Sequence, residues 1–454
     1  MSNTRSIENL TRRWGGGKPN GHIVFYYAHH NRYSINALVG AIENQIEILN
    51  VQLHFCRSVP ETITTLNQLK DEGVPLLCCV SFSTPAYWEV NKLIGILRSL
   101  IKSRLLTIIA GGPHPTGDPF DTLKLGFNFV AIGEAEVSFS KFLPLWLEGK
   151  DPTEIPGIVG KIQDGGVANL KKPQPVQLDA YPSFSAKFRC FGPIEITRGC
   201  PFGCMFCQTS QIHGTHIRHR SIKSILSHVE TLLHYGIRDI RFITPNAFAY
   251  GSKDGIEIEP ERIENLLASV RETVKDRGRI FFGTFPSEVR PEHVTKTTIR
   301  LIKRYTDNTN LILGAQTGSP RLLKLCRRQH TTEDVIQAVS LISKAGLIPN
   351  VDFIFGLPGE TPEDVTITLK FIDKLIGMGA RVHAHAFIPL PGTPFGRCKP
   401  IPLNRDLIRH LGRLASQKRL YGQWRLQQEL AQKIWNEIIA PQRLGNRPNK
   451  CRLK

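Results

Sequence analysis

The chain has 454 residues, of which 41% are apolar and 21% charged, an ordinary composition for a globular protein of two or three domains. No apolar run approaches the roughly 20 residues of a membrane-spanning helix, and residues 1–20 lack the apolar core of a secretory signal. The net charge is +19, and residues 401–454 hold 12 Lys and Arg against 3 Asp and Glu. We expect a cytoplasmic protein with no transmembrane segment. Its basic C-terminal end is either a solvated helical face or a contact for nucleic acid, an acidic partner or a membrane surface.

In chain order, residues 1–20 form a polar lead-in that we expect to be disordered. Residues 21–149 alternate apolar segments such as "HIVFYYA", "VPLLCCVSFS" and "LLTIIAGG" with amphipathic ones. Strands that are apolar on both faces and alternate with helices predict a doubly wound, Rossmann-like parallel sheet. Residues 150–190 predict a hairpin turning at 164–166, followed by a proline-punctuated linker.

A second α/β block follows in residues 191–395. Six β/α units predict a partial TIM-like (β/α)6 barrel, in which the chemistry sits at the C-terminal ends of the strands. The predicted strands are 193–198, 238–244, 280–285, 311–316, 350–355 and 382–388. Residues 396–454 are predicted to be a basic, helical C-terminal extension that caps the barrel.

Three cysteines, Cys200, Cys204 and Cys207, lie together just after the first predicted barrel strand. Three thiolates on one tight loop suit three corners of an iron–sulfur cubane and leave the fourth iron open. A structural zinc site wants four ligands, and Cys190 could be the fourth. The position at the mouth of a barrel favours the cluster, and a zinc-stabilised binding module is the non-enzymatic alternative.

The segment "CPFGCMFC" resembles the cluster loop of radical S-adenosylmethionine (SAM) enzymes. The segments "GAQTGSPRLLKLCRRQHTTEDV", "VDFIFGLPGETPEDV" and "PLPGTPF" resemble the later strands of their barrel, and "GTFPSEVRPEHVT" suggests a subgroup of unassigned reaction. The first block, with "SFSTP", "AGGPHPT" and "AIGEAE", resembles the cobalamin-binding domain often fused in front of it. The resemblance implies a [4Fe-4S] cluster on the three cysteines, SAM on the open iron, an electron donor such as a ferredoxin or flavodoxin, and a 5′-deoxyadenosyl radical.

The resemblance also implies a set of SAM contacts that follow successive strands. They are Phe206, Asn246, Gln316, Ser319, Gly356 and Leu357. The family often carries a carboxylate after the second strand to hold the methionine amine, but this chain has Thr244, Pro245 and Asn246 there. Turn chemistry alone is the alternative role for Gln316 and Ser319.

The implied cobalamin contacts lie in loops of the first block. They are Asn31, Arg32, Tyr33, Ser81, Ser83, Gly111, Gly112, Gly133 and Glu134. The common fingerprint Asp-x-His-x-x-Gly, whose His ligates cobalt, does not occur in the sequence. Residues 31–33 would therefore meet the lower face of the corrin, and the glycine turn at 111–112 would let the nucleotide tail approach backbone. A degenerate domain that binds nothing is the alternative.

Cobalamin-dependent relatives usually transfer a methyl group to an unactivated carbon or phosphorus centre, so the resemblance implies methyl transfer. Radical cyclisation, oxidation, rearrangement and tRNA modification are the enzymatic alternatives, and nucleic acid is the less favoured partner. Polar residues expected to line the mouth of the barrel as catalytic or substrate-binding groups are Glu288, Arg290, His293, His383 and His385. His383 and His385 alternate on one strand and so share a face. A polar, basic cavity would favour an anionic substrate.

Overall fold

The structure is a computed structural model that describes residues 18–100, 105–161, 167–168, 170–441 and 451. The chain divides between Gly192 and Pro193 into two compact units. Most of the expected lead-in and the tip of the expected hairpin, residues 162–166, lie outside the described residues. Within the described ranges, no helix is both long enough and apolar enough to cross a membrane.

The first unit is built on one seven-stranded sheet. Its strands are β1 (Gly21–Tyr26), β2 (Val51–Cys56), β3 (Leu76–Ser81), β4 (Leu106–Gly111), β5 (Phe129–Ala131), β6 (Ile158–Lys161) and β7 (Val167–Ala168). The spatial order is β2-β1-β3-β4-β5-β6-β7, with the first five strands parallel and the last two antiparallel. This confirms the predicted Rossmann-like sheet. The expected hairpin is more than a linker, because β6 extends the sheet edge beside β5.

Helices cover both faces of this sheet. They are α1 (Arg32–Ile48), α2 (Val59–Leu69), α3 (Tyr87–Leu100), α4 (Pro113–Gly117), α5 (Pro119–Leu125) and α6 (Glu136–Leu147). Successive strand side chains enter opposite apolar clusters, so Cys78 packs on the α3 side and Cys79 on the α1 and α6 side. Both cysteines are core residues, which explains the continuous apolar run around them.

The second unit carries the barrel strands. They are β8 (Ile194–Glu195), β9 (Thr197–Arg198), β10 (Arg218–His219), β11 (Asp239–Ile243), β12 (Arg279–Phe281), β13 (Asn310–Gln316), β14 (Ile348–Phe355), β15 (Arg381–Ala386) and β16 (Leu420–Tyr421). Two parallel sheets, β12-β11-β8 and β13-β14-β15-β16, are linked by a bridge between Val289 and Leu313. The six predicted strand segments are found, and the partial barrel is confirmed.

Several helices of the second unit begin at a Ser or Thr cap. The helices of this unit are α7 (Thr209–His213), α8 (Ile222–His234), α9 (Pro260–Val274), α10 (Lys296–Tyr305), α11 (Pro320–Leu325), α12 (Thr332–Lys344), α13 (Pro362–Gly377), α14 (Arg405–Ser416) and α15 (Trp424–Ile434). Capping boxes at Thr295, Thr331 and Thr361 open α10, α12 and α13. Phe353 of β14 packs against Phe371 of α13, so the other face of this strand lines the barrel interior.

The C-terminal extension is helical, as expected, but it also adds strand β16 beside β15. Gly422, which follows β16, has φ +125, and a Cβ built there would lie 2.2 Å from the carbonyl oxygen of Ala384. Glycine is what allows β16 to lie so close to β15. Cys398 and Cys451 form a disulfide, which was not predicted from the sequence. The extension is thus part of the barrel wall as well as a helical cap.

Candidate active site

The cysteine loop starts directly after β9, where the first barrel segment ends. Gly199 has φ +91, and a Cβ built on it would lie 2.1 Å from the carbonyl oxygen of His216. The Cys200 N–H donates to the Gly214 carbonyl at 3.1 Å, and the Cys207 N–H donates to the Cys204 carbonyl at 3.0 Å. Glycine and two backbone hydrogen bonds therefore fold the three cysteines into one compact turn.

The three thiols are free; Cys204 is buried, and Cys200 and Cys207 are half-buried. The Arg328 guanidinium donates from Nη1 to the Cys204 sulfur at 3.6 Å. Burial raises the pKa of Cys207 to about 11 and also raises the pKa of Cys200, so a metal bound there must displace protons. Three free thiols on one turn, with an arginine donating to one sulfur, fit an iron–sulfur cluster.

Cys190, the other ligand considered for zinc, belongs to the apolar core of the first unit. Its thiol lies 3.6 Å from the Phe188 carbonyl oxygen, and burial raises its pKa to about 12. This is the environment of an inert packing cysteine rather than of a ligand.

The third barrel strand is followed by a loop that carries the predicted polar residues. The Arg290 guanidinium lies 3.4 Å from the Phe202 ring centroid and donates to Glu292 and to the Arg328 carbonyl. Burial raises the pKa of Glu288, which favours its neutral form. A Cβ built on Gly314 would lie within 3.1 Å of Gln316 Nε2, Arg328 Nη2 and Glu288 Oε2, so Gly314 marks where these polar groups converge.

Asn246 and His293 form a second pair beside this loop. Asn246 Nδ2 donates to His293 Nδ1 at 2.7 Å, and His293 Nε2 donates to the Ile256 carbonyl at 2.9 Å. Burial lowers the pKa of His293, and both ring nitrogens are used, so the ring is neutral and held in place. Asn246 Oδ1 also accepts the Arg290 N–H at 3.2 Å. Asn246 therefore uses both its Nδ2 and its Oδ1 to hold the loop that carries Arg290 and His293.

The remaining predicted SAM contacts fall into two groups. Phe206 and Leu357 pack in one apolar cluster with Met205 of the cysteine loop. Gly356, at φ +75, donates its N–H to Glu360 Oε2 at 2.6 Å. Ser319 lies apart, because its buried hydroxyl donates to Asp364 at 2.6 Å and caps α11. For Ser319 the structure supports the turn role that the sequence left open.

His383 and His385 share a strand face, as predicted, and they have partners that the sequence analysis missed. Asp352 of β14 lies opposite His383, with Oδ1 at 3.1 Å from His383 Nδ1. Tyr421 stacks on His383 at 4.5 Å between ring centroids, and Gln427 contacts His385 at 3.3 Å. An aspartate inside a strand was the available signal for Asp352. No local pattern marks Arg328, Tyr421 or Gln427.

The predicted cobalamin residues lie at the C-terminal edge of the parallel sheet in the first unit. Asn31 precedes α1, whereas Arg32 and Tyr33 form its first turn and are not in a loop as expected. Asn31 Nδ2 donates to the carbonyls of Tyr26 and Ser81 at 2.9 and 2.8 Å. Among the described residues, Asn31 Oδ1 and Arg32 Nε are buried without a hydrogen-bond partner. Such atoms fit a site for a polar ligand.

The other predicted residues of this edge have mixed roles. Gly112 has φ +95, and a Cβ on it would lie 2.7 Å from Ser81 Oγ, whereas a Cβ on Gly111 would meet its nearest neighbour at 3.9 Å. Ser83 precedes a short helical turn, and Gly133 has φ +70. The buried Glu134 accepts the Val176 N–H at 2.9 Å, so its carboxylate ties residues 170–180 to the sheet. Gly112, not Gly111, is the glycine that the packing requires.

Comparison with known proteins identifies the second unit. Residues 194–372, which include the cysteine loop and strands β10 to β14 that follow it, match the Radical SAM superfamily. These residues of the second unit are a radical SAM domain. This explains the free thiols at the end of its first strand segment and confirms the family resemblance.

Relatives and solved structures extend the likeness beyond the radical SAM domain to the first unit. An uncharacterized methyltransferase of Pyrococcus horikoshii is 27% identical over 66% of this chain and 64% of its own length. A tRNA-2-methylthio-N(6)-dimethylallyladenosine synthase of Sulfurihydrogenibium sp. is 32% identical over 48% of this chain and 47% of its own length. The chain thus spans about two thirds or less of the length of these relatives.

The structure of the radical SAM methyltransferase TsrM from Kitasatospora setae, with cobalamin and a [4Fe-4S] cluster bound, matches with a TM-score of 0.64 at 19% identity. The match covers 84% of this chain and 74% of that chain. The fold of this chain is therefore similar to that of TsrM, with a Rossmann-like unit that precedes the barrel in the sequence.

Proposed function

We propose that this chain is a cobalamin-dependent radical SAM enzyme that transfers a methyl group to an unactivated centre of its substrate. The observation that carries the proposal is the turn of three free thiols at the end of the first strand segment of a radical SAM domain. The name of the Pyrococcus relative and the cobalamin in TsrM favour methyl transfer over radical cyclisation, oxidation or rearrangement.

In this proposal Cys200, Cys204 and Cys207 hold a [4Fe-4S] cluster and leave one iron for SAM. When bound, the cluster supplies the electron that cleaves SAM reductively. Arg328 donates to the Cys204 sulfur and so stabilises negative charge on the cluster side of the barrel. Phe206 and Leu357 offer an apolar wall for the adenine next to the cysteine loop. A soluble electron carrier such as a ferredoxin or flavodoxin is the expected reductant.

The first unit would bind cobalamin at the edge formed by Asn31, Arg32, Ser81 and Gly112. The unpartnered Asn31 Oδ1 and Arg32 Nε support this assignment, because a buried polar atom without a partner costs about 1–3 kcal/mol. The arginine and the amide can donate to and accept from the polar groups of a corrin. Neither side chain is a histidine, so the proposal does not require a histidine ligand to cobalt.

Modification of tRNA is the second candidate, and one specific observation favours it. The tRNA-modifying relative is 32% identical over nearly half of this chain, a higher identity than that of the Pyrococcus methyltransferase. The basic C-terminal residues could bind phosphates. Binding to RNA that weakens steeply between low and high salt would support this candidate, and salt-independent behaviour would exclude it.

The deciding experiment is anaerobic reconstitution with iron, sulfide and hydroxocobalamin, followed by addition of SAM and dithionite. We expect about four irons and one corrinoid per chain, and 5′-deoxyadenosine that disappears in Cys204→Ala but persists in Cys190→Ala. Nucleoside without corrinoid would keep the radical enzyme and remove cobalamin. Colourless protein with one zinc per chain, lost in Cys190→Ala, would establish the zinc module instead.

A further inference from the structure

A cluster of two histidines and an aspartate lies on strands β14 and β15, which do not carry the cysteine loop. Asp352 and His383 occupy paired positions on the neighbouring strands β14 and β15, and His385 is two residues further along. Their side chains share one face because strand side chains alternate, and the opposite face packs Phe353 against α13. Backbone register therefore brings the three together.

The donor atoms of this cluster converge. His383 Nδ1 lies 3.1 Å from Asp352 Oδ1 and 3.1 Å from His385 Nε2, and one ligand atom from each of the three residues lies within 4.8 Å of the other two. Ligands around one tetrahedral ion at bond lengths near 2.0–2.1 Å stand roughly 3.3 Å apart. The spacing in this structure therefore matches a set of ligands that surround a single ion.

We propose that Asp352, His383 and His385 bind a divalent first-row transition-metal ion through a ligand set that includes none of the three loop cysteines. Two imidazoles and a carboxylate are a donor set for Zn²⁺, Co²⁺ or Fe²⁺ and leave coordination positions open. The side chains of His383 and Asp352 are 30% and 15% exposed, so an ion can enter.

Without an ion, Asp352, His383 and His385 cannot all be matched as hydrogen-bond donors and acceptors. Gln427 Oε1 accepts the Ala386 N–H at 3.0 Å, so Nε2 of the same amide donates to His385 Nδ1 and leaves the His385 proton on Nε2. That proton points at the single lone pair of His383 Nδ1, which then cannot also donate to Asp352. A cation where the three lone pairs meet removes the conflict among Asp352, His383 and His385.

The Gln427 side-chain amide also determines how tightly the site binds a metal ion. When His385 Nε2 binds an ion, the ring proton is on Nδ1 and faces Gln427 Nε2, which is also a donor, because Gln427 Oε1 accepts the Ala386 N–H. A carboxylate at position 427 would accept from both N–H groups. Carboxylates behind a ligating histidine typically change metal affinity 10–100-fold. We therefore expect a weak, exchangeable site that Gln427→Glu strengthens.

The C-terminal extension builds the support for this site. Tyr421 of β16 lies on the His383 ring at an interplanar angle of 8°, and Gln427 belongs to α15. Both are held because β16 pairs with β15 and Gly422 permits the close approach. The extension thus orients both imidazoles.

The test is titration with Co²⁺ and Zn²⁺ of the full chain in which Cys200, Cys204 and Cys207 are replaced by alanine. We expect one ion per chain, with affinity lowered at least about tenfold in Asp352→Asn and His385→Ala and raised about tenfold in Gln427→Glu. His410→Ala is the matched control, because His410 also pairs with an aspartate, Asp373 at 3.2 Å, on the outside of the same unit.

If the chain without the three cysteines binds no ion, the proposal is wrong. It is also wrong if Asp352→Asn leaves the affinity for the ion unchanged. The gain expected in Gln427→Glu guards against misfolding, since a damaged chain cannot bind more tightly. The metal titration is independent of the proposed function, because that function is tested separately, by the iron content and 5′-deoxyadenosine production of the wild-type chain. A wild-type chain without a cluster would refute that function and leave this site standing.

Discussion

Replacing Glu360 by glutamine should remove a pH-dependent cost from the radical SAM domain. Glu360 is buried, and its Oε2 accepts the Gly356 N–H at 2.6 Å in the turn after β14. Burial raises its pKa from 4.5 to about 7. Glutamine has nearly the same shape and can still accept that hydrogen bond, so the substitution isolates the effect of charge.

The sign follows from which state loses its proton first. The folded-state pKa is the higher one, so as the pH rises the unfolded chain ionises at Glu360 before the folded chain does. Stability should therefore fall between pH 4.5 and about 7 and stay at the lower level above that range. A shift of this size corresponds to about 3 kcal/mol. Glu360→Gln should thus stabilise the metal-free chain by about 3 kcal/mol at pH 8 and by roughly 1 kcal/mol at pH 5.

Urea unfolding of the metal-free chain at pH 5 and pH 8 measures this difference. Glu363→Gln is the matched control, because Glu363 lies exposed in the first turn of the same helix, α13. The control should change stability by less than about 0.5 kcal/mol at either pH. A gain from Glu360→Gln that is equal at both pH values would refute the reasoning.

Three further predictions concern single positions. Gly112→Ala should weaken hydroxocobalamin binding at least about tenfold in a spectral titration. Gly111→Ala should not, because the nearest neighbour of a Cβ at Gly111 lies 3.9 Å away. Equal effects of the two substitutions would contradict the packing argument. Gly199→Ala should reduce the iron bound per chain on reconstitution, because its Cβ would collide with a backbone carbonyl; full iron content would show that the loop adapts. Arg328→Met should lower the cluster reduction potential measured by redox titration, since it removes a positive donor to the Cys204 sulfur; an unchanged potential would exclude that contact.

The sequence was most informative where a local pattern of residues is compatible with only one kind of secondary structure. Residues 350–355 were predicted as a strand, and β14 runs from Ile348 to Phe355. Thr331 and Thr361 begin helices with complete capping boxes. Strand β2, Val51–Cys56, was missed because its polar residues interrupt the apolar run, although the folded sheet places it at the edge beside β1.

The sequence by itself determined the two α/β units and the cysteine turn, because alternating apolar segments and closely spaced thiols are local in the chain. Only the tertiary structure decided which distant side chains meet. Arg328 reaches Cys204 across 124 positions, and Gln427 reaches His385 across 42. Such meetings depend on strand register and on the path of the C-terminal extension. Strand register and the path of the extension cannot be predicted from the spacing of residues along the chain, because many registers bury the same apolar faces.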